Sequence, residues 1–220
     1  IPNFSGNSFT EALNANREYG LSYDANGNLH PFPRTNASGT STAAFNYSYQ
    51  SNTNKLASVD NYASYSYDAL GQMTGQQRAN GQGFYVDYNV NGKVTAIYSD
   101  AGKTQLRVSF AYDEAGLRIC KTDHIQNVIS YYVYDALANV IAIYDNKGTA
   151  LQQKEVPVYA ASRIGMYNRA GNSYQYELTD HLGNVRAVLN GTKQGNGEAD
   201  IVYYSDYYPF GSPLTLAAND

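Results

Sequence analysis

Tryptophan is absent from this 220-residue chain, cysteine occurs once, and charged residues make up only 15% of it. Each shortage excludes something. One cysteine, Cys120, cannot close a disulfide within the chain, so no covalent staple holds the fold; in GLRICKT it reads as a small buried hydrophobe on a strand. Lys and Arg total 15 against 19 Asp and Glu, scattered singly. No basic patch exists to neutralise phosphates, which argues against nucleic-acid binding. No apolar run approaches the ~20 residues of a membrane-spanning helix. The spacings H-x-x-x-H, H-E-x-x-H and C-x-x-C are all missing, as is G-x-S-x-G, so no familiar metal or nucleophile motif is present.

What the chain has instead is tyrosine, 23 residues of it, with 7 Phe and 19 Gly. Tyrosine suits a half-buried strand because its ring packs while its hydroxyl stays wet. Asn and Gly suit the turns between strands. The balance predicts an all-β protein.

One phrase recurs. LSYDANGNLH (21–30), YSYDALGQMTG (65–75), FAYDEAGLRI (110–119) and YVYDALANVI (132–141) are variants of one pattern, aromatic-x-Tyr-Asp-x-x-Gly-polar-apolar, each departing from it at no more than a position or two. The residues after the Tyr are Asp24, Asp68, Asn89, Asp113 and Asp135, separated by 44, 21, 24 and 22 residues. The first gap is two periods, with the degenerate copy FNYSYQSNTNKLASV (45–59) midway. Asp180 follows 45 residues after Asp135, again two periods. The chain is therefore an array of about eight units of roughly 22 residues.

The unit explains itself physically. SYSYD alternates as a strand should. The Asp side chain can accept the backbone N–H two residues on, and a Gly then supplies the positive φ that closes a short hairpin. The structural residues of the repeat are accordingly Tyr23, Asp24 and Gly27; Tyr67, Asp68 and Gly71; Tyr88, Asn89 and Gly92; Tyr112, Asp113 and Gly116; Tyr134 and Asp135; and Asp180 with Gly183. Ala138 stands where the fifth unit should have Gly. One unit is one β-hairpin, and the array is an antiparallel meander. Gly71→Val or Gly116→Val is expected to destabilise the fold by more than ~1 kcal/mol, because a β-branched residue resists positive φ; an unchanged melting curve would contradict the turn assignment. In VISYYVYDALANVIAIYD (128–145) both alternating sets are apolar or aromatic, so the sheet should curl and its open ends should meet more chain or a partner. Residues 1–18 read as an irregular lead-in, 31–44 and 190–199 as loops, and 149–173 as a longer excursion with one strand of its own.

These phrases resemble the YD repeats of bacterial RHS proteins. PVYAASRIGMY (157–167), YELTDHLGNVRAVL (176–189) and DYYPFGSPL (206–214) are similar, in the same order, to the RHS repeat-associated core segment. The resemblance runs from about residue 19 to 214: YD repeats over 19–148, then a core-like segment over 149–214, in a single array covering 1–220. It implies an all-β antiparallel meander of hairpins curling into an open or spiral β-shell. It also implies a structural role in a secreted or surface-exposed bacterial protein, enclosing or displaying another polypeptide, in a family that includes toxin-complex subunits and teneurins. The expected partners are the remainder of a larger RHS chain, or another protein, at the open sheet edges. The family's self-cleaving aspartates follow a motif beyond LTLAAND, so no catalytic residue carries over. No enzyme activity, cofactor or metal is expected.

Sharper readings of single residues are weaker. Asp180 with His181 and Asp206 could be drawn as a catalytic or metal cluster, but Thr-Asp-His-Leu-Gly obeys the hairpin period and reads as a turn. His30 and His124 read as surface residues. Arg163 and Arg186, lone charges in apolar strands, either point outward or pair with Asp180 or Glu177. Exposed Tyr and Asn on a weakly charged sheet also suit glycans, which makes a carbohydrate-binding or adhesion module the alternative function.

Overall fold

The computed structural model describes residues 3–5, 8–10, 14–147 and 150–214, and every element among them is a strand, a bridge or a turn. The strands fall in two compact units, the first made of residues 1–82 and 206–220, the second of residues 83–205.

The first unit holds two small antiparallel pairs. β1 (Asn3–Ser5) joins β2 (Ser8–Thr10), and β3 (Phe32–Thr35) joins β4 (Ser41–Phe45). It then begins the main sheet with β5 (Tyr47–Tyr49), β6 (Leu56–Val59), β7 (Ala63–Tyr67) and β8 (Met73–Arg78). Phe32, Val59 and Ala63 are its buried apolar residues. Phe32 is 2% exposed and packs its ring on Tyr47, centroids 6.2 Å apart.

The second unit supplies the rest of the sheet. β9 (Gly83–Tyr88), β10 (Val94–Tyr98), β11 (Leu106–Tyr112), β12 (Arg118–Asp123) and β13 (Val128–Tyr134) come first. β14 (Val140–Lys147), β15 (Leu151–Tyr159), β16 (Arg163–Asn168), β17 (Ser173–Thr179), β18 (Val185–Lys193) and β19 (Ala199–Tyr204) complete it. The strand order is the chain order, β5 to β19, fifteen antiparallel strands with no crossover and with two ends that do not pair with each other. The all-β open meander is thus the observed fold. Local contacts dominate such a topology, because each strand needs only its sequence neighbours.

The wall is thin. Val86, Ala96, Val128 and Ala142 are buried in the second unit, but no large apolar residue among those described is less than 2% exposed as a whole. Tyrosines such as Tyr131 and Tyr174 remain 40% and 47% exposed. The sheet is thus held more by its hydrogen bonds and cross-strand ring contacts than by a thick core.

Three segments differ from their sequence expectation. Residues 31–44 are not a loop but carry β3 and β4, and β18 runs on to Lys193. The stretch 149–173 is no excursion: β15 and β16 are two regular strands of the meander. Pro157 lies within β15 although proline removes a ladder donor. It is tolerated because the β14–β15 pairing ends at Glu155, two residues before Pro157. Cys120 is half-buried on β12 rather than buried.

Candidate functional site

The recurring Asp turn does more than an Asx turn requires. In each copy the backbone of the Asp position closes a three-residue loop, as in Gly71 N–H donating to the Asp68 carbonyl at 3.1 Å and Asp68 N–H to the Gln72 carbonyl at 2.9 Å. The carboxylate then accepts two further amides: Leu70 and Gln72 on Asp68 at 2.9 and 2.8 Å, and Leu137 and Asn139 on Asp135, both at 2.8 Å. Asp24 accepts Asn26 and Asn28, and Asp180 accepts Leu182 and Asn184. Asn89 does the same for Asn91 and Lys93 with its amide oxygen. Asp113 takes Leu117 at 2.8 Å. The residue three after the Asp position has positive φ every time: 82° at Gly27, 85° at Gly71, 71° at Gly92, 79° at Gly116, 65° at Ala138 and 86° at Gly183.

These bonds favour the ionised carboxylate. The carboxyl of Asp24 is held below its ordinary range chiefly by the Asn28 amide, those of Asp135 and Asp180 chiefly by the Asn139 and Asn184 side chains. A carboxyl whose folded-state pKa is depressed stabilises the fold above the unfolded value, near 4, and loses that contribution as pH falls through the folded value. Melting temperature is therefore expected to hold from neutrality down to about pH 4 and to fall below it; in a triple Asn variant at positions 24, 135 and 180 that acid slope should flatten.

The Tyr of the phrase forms the second recurring device. Its hydroxyl reaches back to a return-strand or bridge carbonyl of the preceding hairpin: Tyr67 to Leu56 at 3.0 Å, Tyr112 to Val94 at 2.7 Å and Tyr134 to Arg118 at 2.7 Å. Tyr49 reaches Leu29 at 3.1 Å, and Tyr159 reaches Val140 at 3.0 Å. Burial lifts the phenols of Tyr67 and Tyr134 above their ordinary range, which keeps the donating proton in place. Phenylalanine would fill the same space without the rung. Tyr134→Phe is expected to cost ~1 kcal/mol, measured by urea unfolding, with little change in m. Tyr23, 55% exposed, stands outside this ladder, and Tyr88 lies on β9 opposite Val94.

A third construction lies wholly within the first unit and joins residues 18–45 to residues 206–214. Residues 206–214 form their own turn: Tyr208 N–H donates to the Ser212 carbonyl, Gly211 N–H to the Tyr208 carbonyl, and Gly211 takes φ 79°. Arg34 on β3 donates from Nε to Glu18 Oε1 at 2.9 Å and pairs with the same oxygen through Nη2. The Glu18 side chain is fully buried and that of Arg34 is 15% exposed. Glu18 Oε2 accepts the Phe210 amide at 3.2 Å. The guanidinium carbon lies 4.0 Å from the Tyr208 ring centroid and 5.0 Å from that of Phe45, both within cation–π range. Tyr208 donates to the Thr35 carbonyl at 3.1 Å, and Phe210 packs on Phe32. Sequence reasoning missed this clamp: Glu18 fell in the supposed lead-in, and Arg34 in the supposed loop.

The remaining sequence candidates resolve into structural parts. Asp180 and His181 sit on the β17–β18 turn, and among the described residues no group of three metal-ligating side chains forms. Arg163 reaches Glu177, both carboxylate oxygens lying 2.6–2.7 Å from Nη2. Arg186 accepts the Ser205 amide at its carbonyl. His30 and His124 contact Ser22 and Ser109 at 3.2 and 2.9 Å. No helix among the described residues is long and apolar enough to cross a membrane. An open cleft of about 570 Å³ on the second unit is lined by Tyr144, Leu151, Gln152, Gln153, Arg169 and Ala170.

Comparison with known proteins agrees with this geometry. The family pattern described as the teneurin YD-shell matches residues 6–213. No curated protein sequence matches the chain. Among solved structures, the Tc holotoxin pore of Photorhabdus luminescens superposes with a TM-score of 0.61 at 16% identity, covering 88% of this chain and 10% of that one. The TcdB2–TccC3 complex without its hypervariable C-terminal region gives 0.45 at 12% identity, over 88% of this chain and 10% of that one. The chain thus spans about a tenth of the length of these structures.

Proposed function

The chain belongs to the teneurin YD-shell family, and from that premise we propose that its work is mechanical: it is a wall segment of a larger shell that encloses or displays another polypeptide. The observation that carries this is the repetition itself. Among the described residues the Asp or Asn turn is found at Asp24, Asn36, Asp68, Asn89, Asp113, Asp135 and Asp180, and the Tyr rung at Tyr49, Tyr67, Tyr112, Tyr134 and Tyr159, so these polar side chains are spent on building hairpins and tying them together. We assign the segment no reaction and no cofactor of its own. A protein secreted or displayed at the bacterial surface gains from such a wall, since backbone amides engaged in turns and ladders resist proteolysis. The partners of the wall are the rest of a longer chain, or a second protein, at the sheet edges.

Limited proteolysis of the native protein from its producing cell tests this. An enclosed polypeptide should survive beside the array and be digested at once when the array is melted. Digestion of every other segment at the same rate before and after melting would contradict enclosure.

One observation favours a second reading, binding of a sugar. The 570 Å³ cleft offers the Tyr144 ring and the Gln152, Gln153 and Arg169 side chains, a mixture of stacking surface and hydrogen-bonding groups that suits a pyranose. Binding on a glycan array that is lost in Tyr144→Ala would support it; an array without a binder would remove it.

A further inference from the structure

The second unit has no disulfide to brace it, since the chain carries a single cysteine. It does have two tyrosines set against each other. Tyr167 on β16 and Tyr174 on β17 are direct partners in an unbroken stretch of register that runs from Gly165–Tyr176 to Asn168–Ser173. Direct antiparallel partners place their side chains on one face of the sheet. Their ring centroids lie 4.8 Å apart with the planes inclined by 42°, near the short end of the range for packed aromatic rings. That separation and tilt are close to those of two phenols joined ring to ring. Tyr176 flanks Tyr174 on the same strand, centroids 6.3 Å apart and planes 9° from parallel. The Tyr167 hydroxyl donates to Asn172 Oδ1 at 2.8 Å, in the turn that joins the two strands. Tyr174 is 47% exposed, so a dissolved oxidant reaches it. The chain contains no tryptophan, the side chain that would otherwise compete as electron donor.

We propose that Tyr167 and Tyr174 are a site of oxidative cross-linking, coupled carbon to carbon into a dityrosine by hydrogen peroxide acting through a haem peroxidase. Each phenol gives up one electron and its hydroxyl proton. The unpaired electron of a phenoxyl radical is shared with the ring carbons beside the oxygen, and two such carbons, one from each ring, form the bond. The ring hydrogens at those carbons then leave as protons while the two oxygens regain theirs. In sum two C–H bonds break, one C–C bond forms, and the two electrons and two protons released reduce one peroxide to two waters. Both hydroxyls survive, so the bond from Tyr167 to Asn172 is kept. Register explains the choice of partners only in part. Tyr131 also faces Tyr144, across β13 and β14; what distinguishes Tyr167 and Tyr174 is the contact of their rings. The product ties β16 to β17 around the turn from Arg169 to Asn172, and braces this part of the wall as a disulfide would.

The test treats the 220-residue chain, native and dilute, with a haem peroxidase and hydrogen peroxide, and maps its tryptic peptides by mass. Trypsin cuts after Arg169, so Tyr167 leaves on 164–169 and Tyr174 on 170–186. The expected product joins these two peptides with the loss of two hydrogens, fluoresces as a biphenol, and forms in the same yield at every protein concentration. Tyr174→Phe and Tyr167→Phe should each abolish it, while Tyr176→Phe leaves it unchanged. All three variants keep the ring, and cooperative melting checks that they fold. Oxidation that leaves the two peptides unlinked overturns the proposal, whether the tyrosines then couple between copies or at Tyr131 and Tyr144. So does a link that persists in Tyr174→Phe, which would assign the bond to Tyr176.

Discussion

Gly165→Ala is expected to be the most damaging single methyl group in the second unit, costing about 3 kcal/mol or more. Gly165 is buried on β16, between Val158 of β15 and Tyr176 of β17. A Cβ built there would lie 2.2 Å from the Gln175 carbonyl oxygen and 3.0 Å from the Tyr176 Cα. Both are backbone atoms of a strand held on its other side by β18, so neither can move without breaking ladder bonds. The strain is one of close approach and not of dihedral angle, which separates it from the turn glycines. At Gly183 a Cβ meets nothing within 4 Å, and only the φ of 86° resists substitution; Gly183→Ala should therefore cost only ~1 kcal/mol. Urea unfolding of the two variants measures the difference. Equal losses would show that β16 and β17 can part more easily than their register suggests.

Arg34→Ala is expected to cost about 3–5 kcal/mol, because it strands the fully buried carboxylate of Glu18 without its cation. The loss should be local in character. Tyr208 and Ser212 would lose the guanidinium they contact, and the Glu18 carboxylate that holds the Phe210 amide would lose its anchor, so chymotrypsin should cut after Phe210. Removing both charges tests the origin of the effect. Arg34→Met with Glu18→Leu fills similar volume with no buried charge, and should recover most of the stability lost in Arg34→Ala. If the double variant is as weak as the single one, the clamp acts through the geometry of its hydrogen bonds rather than through charge burial. No change in either variant would mean that residues 206–214 do not depend on the pair.

The contrast between the turns and the clamp explains what was legible in the sequence. A turn is a local object: Asp68, Gly71 and Gln72 lie within five residues, and their chemistry can be read from the phrase. Even there, the second carboxylate bond, to the amide four residues on, was invisible, because it depends on how tightly Asx turn and positive φ combine. The Tyr rung was less legible still. Tyr159 belongs to it, yet Ala160 stands where the phrase has Asp, and the following Ala161-Ser162 has no turn glycine; the signal fell silent while the strand and its hydroxyl bond persisted. Glu18 and Phe210 lie 192 residues apart, and no periodicity connects them. Repetition made the fold readable, and the parts that end the repetition were the parts that stayed hidden.

The central claim is that two recurring hydrogen-bonded devices, the Asp or Asn turn and the Tyr rung, together build the wall. Hydrogen exchange of the native chain at neutral pH, resolved to individual amides, tests it most directly. The amides of Gln72, Lys93, Leu117, Asn139 and Asn184, four residues after the Asp or Asn of five of these turns, should all exchange slowly although they sit at turns beside solvent, and Tyr134→Phe should loosen the Asp113 and Asp135 turns before the others. Exchange of these amides at the rate of an unfolded chain, or a Tyr134→Phe effect spread evenly over the array, would contradict the account.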